Sequence, residues 1–202
     1  MLRAARPEHT SGIWKSASRF ACIFVLCLGV LTVVWPRVAG PYAVAIEHAV
    51  RPALHAIEAT DPSVVHRDGD EVWIYRRIGE GLVTPVVWFD RYAFFAVVPL
   101  LALLMATPGL GWRGRTFRTA GALAALFLVH VAYIVASVEL LYAASGARSL
   151  ASWQLMVRIL WEAAPIAIWV ALTAGTWRAQ LKRWMDGSKA RCGAAAPIGA
   201  SG

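Results

Sequence analysis

The sequence predicts an all-α membrane protein: a four-transmembrane-helix bundle under a small extracytoplasmic α+β cap, made of an amphipathic helix and a β-hairpin. Three observations predict it. Hydrophobic residues make up 58% of the 202 residues and charged residues only 16%, against about 45–50% and about 25% in soluble domains. The charges cluster outside four apolar runs, each close to the length that a bilayer requires. One stretch breaks this pattern: "VVHRDGDEVWIYRRIGEG", at 64–81, alternates apolar and polar residues around a tight-turn sequence, the mark of a hairpin in water.

The elements follow in order. A basic N-terminal segment, 1–19, precedes the first span, 20–36, "FACIFVLCLGVLTVVWP". A cleaved signal peptide is the competing reading, because "VAG" at 38–40 loosely resembles a cleavage end. Trp35-Pro36-Arg37 fits that reading poorly, so a retained anchor is favoured. The loop 37–90 opens with "PYAVAIEHAVRPALHAIEATD", in which Tyr42, Ile46, Ala49, Val50, Ala53, Leu54 and Ile57 form the stripe of an amphipathic helix. Pro52 is expected to kink or divide that helix. Ser63–His66 is expected to pair with Val72–Ile78 across Asp68-Gly69. "GLVTPVVWF" adds a third strand, which Pro85 confines to an edge. The second span is 91–108 with Pro99 inside it, followed by a basic turn at 109–118. The third span is 119–144, a short outer loop takes 145–152, and the fourth span is 153–177 with tryptophans at both interfaces. The tail, 178–202, reads as basic and disordered.

Lysine and arginine set the orientation. Four lie before the first span (Arg3, Arg6, Lys15, Arg19), three in the basic turn (Arg113, Arg115, Arg118) and five in the tail. With four spans, all twelve fall on one side. The loop 37–90 carries five basic and eight acidic residues. The positive-inside rule then places both termini in the cytoplasm and the loop outside. The net charge of +8 is assigned to anionic lipid headgroups. Nucleic acid is excluded as a partner, because no RNP, zinc-finger or basic-helix pattern is present.

Ionisable groups inside spans are functional candidates by default. Glu139, Arg158 and Glu162 fall on the outer half of the third and fourth spans. Glu139 and Arg158 each lie roughly 7 Å from the outer interface, at about 1.5 Å rise per residue. The three are expected to form one polar cluster, with Glu139 facing Arg158 across the two spans and Glu162 sharing the guanidinium. This cluster is either a register-fixing ion pair or a contact for a partner or substrate. His130, near the membrane middle with Tyr133 close by, is expected to be a neutral histidine hydrogen-bonded to a neighbouring helix, with a proton relay as the alternative.

No metal, cofactor or catalytic constellation emerges. His48 and His55 lie seven apart with Arg51 between them, a poor arrangement for zinc. The three cysteines, Cys22, Cys27 and Cys192, lie in the first span and the tail, so no disulfide framework is implied. GxSxG, HExxH, Walker A and Rossmann glycine patterns are all missing.

The order of parts resembles one family. A short first span ending near Trp-Pro is followed by an amphipathic outer helix and a β-rich stretch. Then come "RYAFFAVVPLLALLMATPG", a basic turn and two more spans, the last with a mid-span proline. This is similar to the exosortase-associated membrane proteins, in particular the exosortase H-associated type, over about residues 20–177. The resemblance is one of architecture and carries over no residue role. The wet cap, the charged outer cluster and the missing catalytic motif point to a non-catalytic accessory protein with a membrane-protein partner, and the resemblance implies a bacterial inner membrane and an exosortase-type sorting enzyme as that partner. Cys22 and Cys27 lie within the first span, away from the outer face where an exosortase's own thiol chemistry would need them. The alternative function is a small oligomeric transporter or channel, hinted at by Pro99 and Pro165 within spans.

The orientation is directly testable. A cysteine replacing Gly69 should react with an impermeant thiol reagent in intact cells. One replacing Gly114 should react only after permeabilisation, and the reverse pattern would overturn the charge argument.

Overall fold

The computed structural model describes residues 9–57, 64–68, 71–78, 82–89, 92–143 and 150–194. The chain is mostly helical, with one small sheet. In order the elements are α1 (His9–Ile57), β1 (Val64–Asp68), β2 (Glu71–Ile78), β3 (Leu82–Phe89), α2 (Val97–Ala106), α3 (Trp112–Ala143) and α4 (Leu150–Ala194). Three stretches are long and apolar enough to cross a membrane: Lys15–Ile57, Trp112–Leu140 and Leu155–Lys182.

α1 corrects the first expectation. The first span and the amphipathic helix are one continuous helix of 49 residues, running through Pro36, Pro41 and Pro52. Each proline removes an N–H and frees the carbonyl four residues earlier, which ordinarily bends or breaks a helix. Here all three rings lie on the exposed side, away from the packing face. The opposite side carries an unbroken buried stripe: Trp35, Ala39, Ala43, Ile46, Val50 and Leu54. Spacings of three and four keep these residues on one face. At about 1.5 Å per residue α1 is roughly 74 Å long, more than twice the roughly 30 Å of a bilayer core. Its exposed N-terminal stretch carries the window apolar enough to cross a membrane, and its C-terminal third backs the sheet.

α2 is the second correction. The run expected to span at 91–108 forms a turn at 92–96 and then a helix of ten residues. That helix is about 15 Å long, half a bilayer core. Pro99 is the third residue of α2, where no intrahelical N–H is required. Proline thus marks the helix start and not a kink inside a span. Thr107 closes α2, its N–H reaching the carbonyls of Leu103 and Leu104 at 3.1 and 3.3 Å. Gly109, at φ 78°, supplies the left-handed residue of the turn into α3. A Cβ there would also stand 2.8 Å from Gln180 Nε2 of α4.

α3 begins at Trp112, so Arg113, Arg115 and Arg118 ride on its first two turns. The basic turn expected at 109–118 is correspondingly shorter. α4 continues to Ala194, and the stretch 178–194 is helical where disorder was expected; "RAQLKRW" is rich in strong helix formers. Residues 1–8, the 144–149 connection, most of the expected outer loop, and 195–202 lie outside the described residues.

The sheet is antiparallel in the order β1-β2-β3. Asp68 pairs with Glu71 at the mouth of the hairpin, and the turn residues between them lie outside the described residues. β3 is the edge strand that Pro85 required. Pro85 stands opposite Tyr75, beside a register shift between Ile74 and Tyr75, which is where a strand lacking one N–H is tolerated. Val65, Val72 and Ile74 turn one face of the sheet into the core cluster that also holds Ile46, Val50 and Leu54 of α1. Arg51 fixes the contact by pairing with Glu47 at 2.7 Å and donating to the Val65 carbonyl at 3.2 Å. Arg67 of β1 reaches the other Glu47 oxygen at 3.5 Å.

The far end of the molecule is basic. Phe20 of α1 meets Trp177 of α4 at a centroid distance of 6.2 Å, and Arg118 of α3 donates to Thr176 of α4 at 2.6 Å. Lys15, Arg19, Arg113, Arg115, Arg118, Arg178 and Lys182 therefore share one end, and the sheet packs towards the other.

Candidate functional site

The middle of the bundle is built around His130. It sits on the buried face of α3, eight residues after Ala122, four after Leu126 and four before Ile134. At 1% exposure it is fully enclosed. Its Nδ1 lies 2.8 Å from the Tyr42 hydroxyl of α1, a bond that forms with either group as donor. The ring stacks on Trp161 of α4 at 4.3 Å and meets Phe94, just before α2, at 5.5 Å. Tyr133 packs on the same Trp161 at 4.1 Å. Phe127 closes the Tyr42 side at 6.0 Å. One polar pair inside an aromatic box thus joins α1, α3 and α4, with the turn into α2 as its fourth wall.

The chemistry open to this centre is narrow. The Nε2 of His130 is buried and has no hydrogen-bond partner. A relay needs acceptors on both ring nitrogens, and the described residues supply only Tyr42. The expected bond to a neighbouring helix is present, and its partner comes from α1. Tyr42 was legible as an apolar-stripe residue four before Ile46, but its role was not, because the stripe was read as lying outside the membrane.

The outer charges are arranged differently from the expected cluster. Arg158 Nε binds Glu162 Oε1 at 3.0 Å within α4. Among the described residues Glu139 makes no ion pair with either. The i, i+4 spacing lets the guanidinium reach its partner without leaving its own helix, so α3 is not needed. The side chains of Arg158 and Glu162 are 71% and 62% exposed, on a face that also exposes Leu155, Ile159, Leu160 and Ile166.

Sequence reading missed a polar tie near the basic end. Trp169 of α4 donates to Thr107 Oγ1 at 2.9 Å, and that hydroxyl donates to the Leu103 carbonyl at 2.7 Å. Arg115 reaches the Thr107 carbonyl at 3.4 Å. Thr107 is fully buried and anchors the end of α2 to α3 and α4. A threonine directly before Pro-Gly was the available signal, since the end of a helix needs its last carbonyls satisfied. Among the described residues no group of three or more His, Cys, Asp or Glu side chains is placed to hold a metal ion; Arg51 points its charge at Glu47 between His48 and His55.

Comparison with protein-family models, with curated proteins and with solved structures finds no match to this chain.

The Tyr42–His130 bond should behave as a coupled pair. Tyr42→Phe leaves Nδ1 unpartnered in an apolar box, at a cost of about 1–3 kcal/mol. His130→Phe strands the hydroxyl similarly. The double variant should cost less than the sum by more than about 0.5 kcal/mol in detergent unfolding; strict additivity would show that the bond contributes nothing to stability.

Proposed function

We propose that this chain is a non-catalytic accessory protein of the bacterial inner membrane that binds another membrane protein through the sheet-side half of α4. Both termini lie in the cytoplasm and the sheet lies outside, as the distribution of lysine and arginine favours. α2 is the fourth helix of the bundle: it fills the half between His130 and the basic end, and the chain makes its fourth crossing through the turn at 92–96 and α2 together. The sheet and the C-terminal third of α1 form the extracytoplasmic cap.

The observation that carries this reading is the exposed Arg158–Glu162 pair. Leu155–Lys182 is a membrane-length apolar stretch. At about 1.5 Å per residue, Arg158 and Glu162 lie roughly 5 and 10 Å inside its start. Charges in the apolar layer are expensive and characteristically face protein or a water-filled space. Here they face outward among exposed leucines and isoleucines. A partner helix carrying polar groups at that depth would remove the pair from lipid and bury the apolar side chains beside it.

The architectural resemblance makes an exosortase-type sorting enzyme the first partner to test. The transporter or channel alternative gains no observation. A proton path through His130 would require a second acceptor at Nε2, and none is present among the described residues.

Co-purification in a mild detergent should recover a membrane-protein partner with the wild-type chain. The double substitution Arg158→Leu with Glu162→Leu keeps the helix and removes only the charges. It should lower that recovery at least about tenfold, the effect of losing about 1.4 kcal/mol. Equal recovery would remove α4 as the interface, and no partner at all under gentle extraction would remove the accessory reading.

A further inference from the structure

The basic end holds a cavity of about 280 Å³ between the start of α1, the α2–α3 turn and the C-terminal half of α4. Its walls are apolar: Ala17 and Phe20 of α1, Pro108 of the turn, and Trp177 and Leu181 of α4. Two polar side chains, Ser16 and Gln180, also line it. At the lower end of the roughly 300–1,000 Å³ typical of small-molecule sites, it has room for part of an acyl chain and not for a whole lipid.

The surroundings of the cavity are charged with one sign. Lys15 and Arg19 flank the lining residues of α1, and Arg178 and Lys182 flank those of α4; all four side chains are exposed. Arg19 lies three residues after Ser16 and Arg178 three before Leu181, so each stands on the shoulder of the lining face of its helix. Arg113 at the start of α3 is exposed at this end as well. No acidic residue occurs in 15–37, 107–119 or 163–185. Tryptophan at the end of a membrane-length helix marks the headgroup level, and Trp177 lies five residues from the end of Leu155–Lys182.

An apolar slot that opens among exposed cations at headgroup depth matches one ligand chemistry. It fits a molecule with a hydrocarbon chain and an anionic phosphate head. We infer that this cavity is a binding site for an anionic phospholipid. One acyl chain enters the slot alongside the Phe20–Trp177 ring pair, and the phosphate is held by Arg19, Arg178 and Lys182, with Ser16 and Gln180 as hydrogen-bonding partners near the head. The inference rests on residence in a membrane and is independent of the partner proposed for α4.

The full-length protein in nanodiscs tests it, using photoactivatable phosphatidylglycerol or phosphatidylcholine with the reactive group on one acyl chain. About 1 kcal/mol per basic residue near an anionic surface corresponds to about a fivefold preference for each. Phosphatidylglycerol should label peptides containing Phe20, Trp177 or Leu181 at least about fivefold more than phosphatidylcholine. Ala17→Trp fills the slot from an exposed position and should abolish that labelling. Arg19→Gln with Lys182→Gln should leave the slot but equalise the two lipids. Inorganic phosphate should not compete. Equal labelling of the wild-type protein by both lipids would overturn the inference. So would labelling confined to other peptides, labelling unchanged by Ala17→Trp, or full displacement by inorganic phosphate, which would indicate a site for a free anion.

Discussion

The buried stripe of α1 is the constraint on which the rest of this fold depends. Trp35, Ala39, Ala43, Ile46, Val50 and Leu54 face the other elements without interruption, and the three prolines are confined to the opposite side. The stripe changes character along its length. Ala39 and Ala43 are small, which suits helices associating where lipid supplies no hydrophobic drive and close approach matters. Ile46, Val50 and Leu54 are large and pack against Val65, Val72 and Ile74 of the sheet. Burial of large aliphatic side chains stabilises by roughly 1.5–3 kcal/mol each in water. A three-stranded sheet of this size needs such a backing to persist. In the proposed membrane placement one helix serves two solvents, and the sheet is held because α1 is continuous from the bundle to the sheet.

The Tyr42–His130 bond pins this arrangement at the point where the stripe passes from small to large. It also explains the shortness of α2. Phe94 and the turn at 92–96 take the place beside His130 that another helical turn would occupy. Thr107 then ties the other end of α2 to Trp169 and Arg115. α2 is fitted between two polar anchors, and its length follows from their separation.

Much of this was legible in the sequence, and the misreadings share a cause. The long apolar helices, the hairpin and the edge strand with Pro85 follow from local pattern and turn chemistry. So does a histidine bonded to another helix. The break between the first span at Pro36 and the amphipathic helix from Pro41, and the possible division at Pro52, are not present, because all three prolines fall on the exposed side of α1. Pro99 was read inside a span when it opens a helix. The basic residues at 113–118 and beyond 178 were read as loop and tail because charge signals a membrane boundary, which is not the same as a helix boundary. Glu139 was expected to meet Arg158 from matched depth alone. Depth gives no azimuth, and Glu162 was already within reach on α4. Tyr42, Trp161 and Thr107 were hidden because their importance comes from contacts between distant elements, which no local pattern encodes.

Two ends of the molecule emerge, each with unfinished surface: an ion pair exposed among apolar side chains on the sheet side of α4, and a cation-rimmed slot at the other end. Both readings assume that α1 runs as one helix from the slot to the sheet. Spin labels placed singly at each position from 33 to 57 in a reconstituted membrane would test this most directly. The account predicts a collision-accessibility pattern with an unbroken period near 3.6 residues, its minima at Ala39, Ala43, Ile46, Val50 and Leu54. A loss of periodicity or a mobile segment between Pro36 and Pro41 would contradict it, and would return the chain to a short first span followed by a separate outer helix.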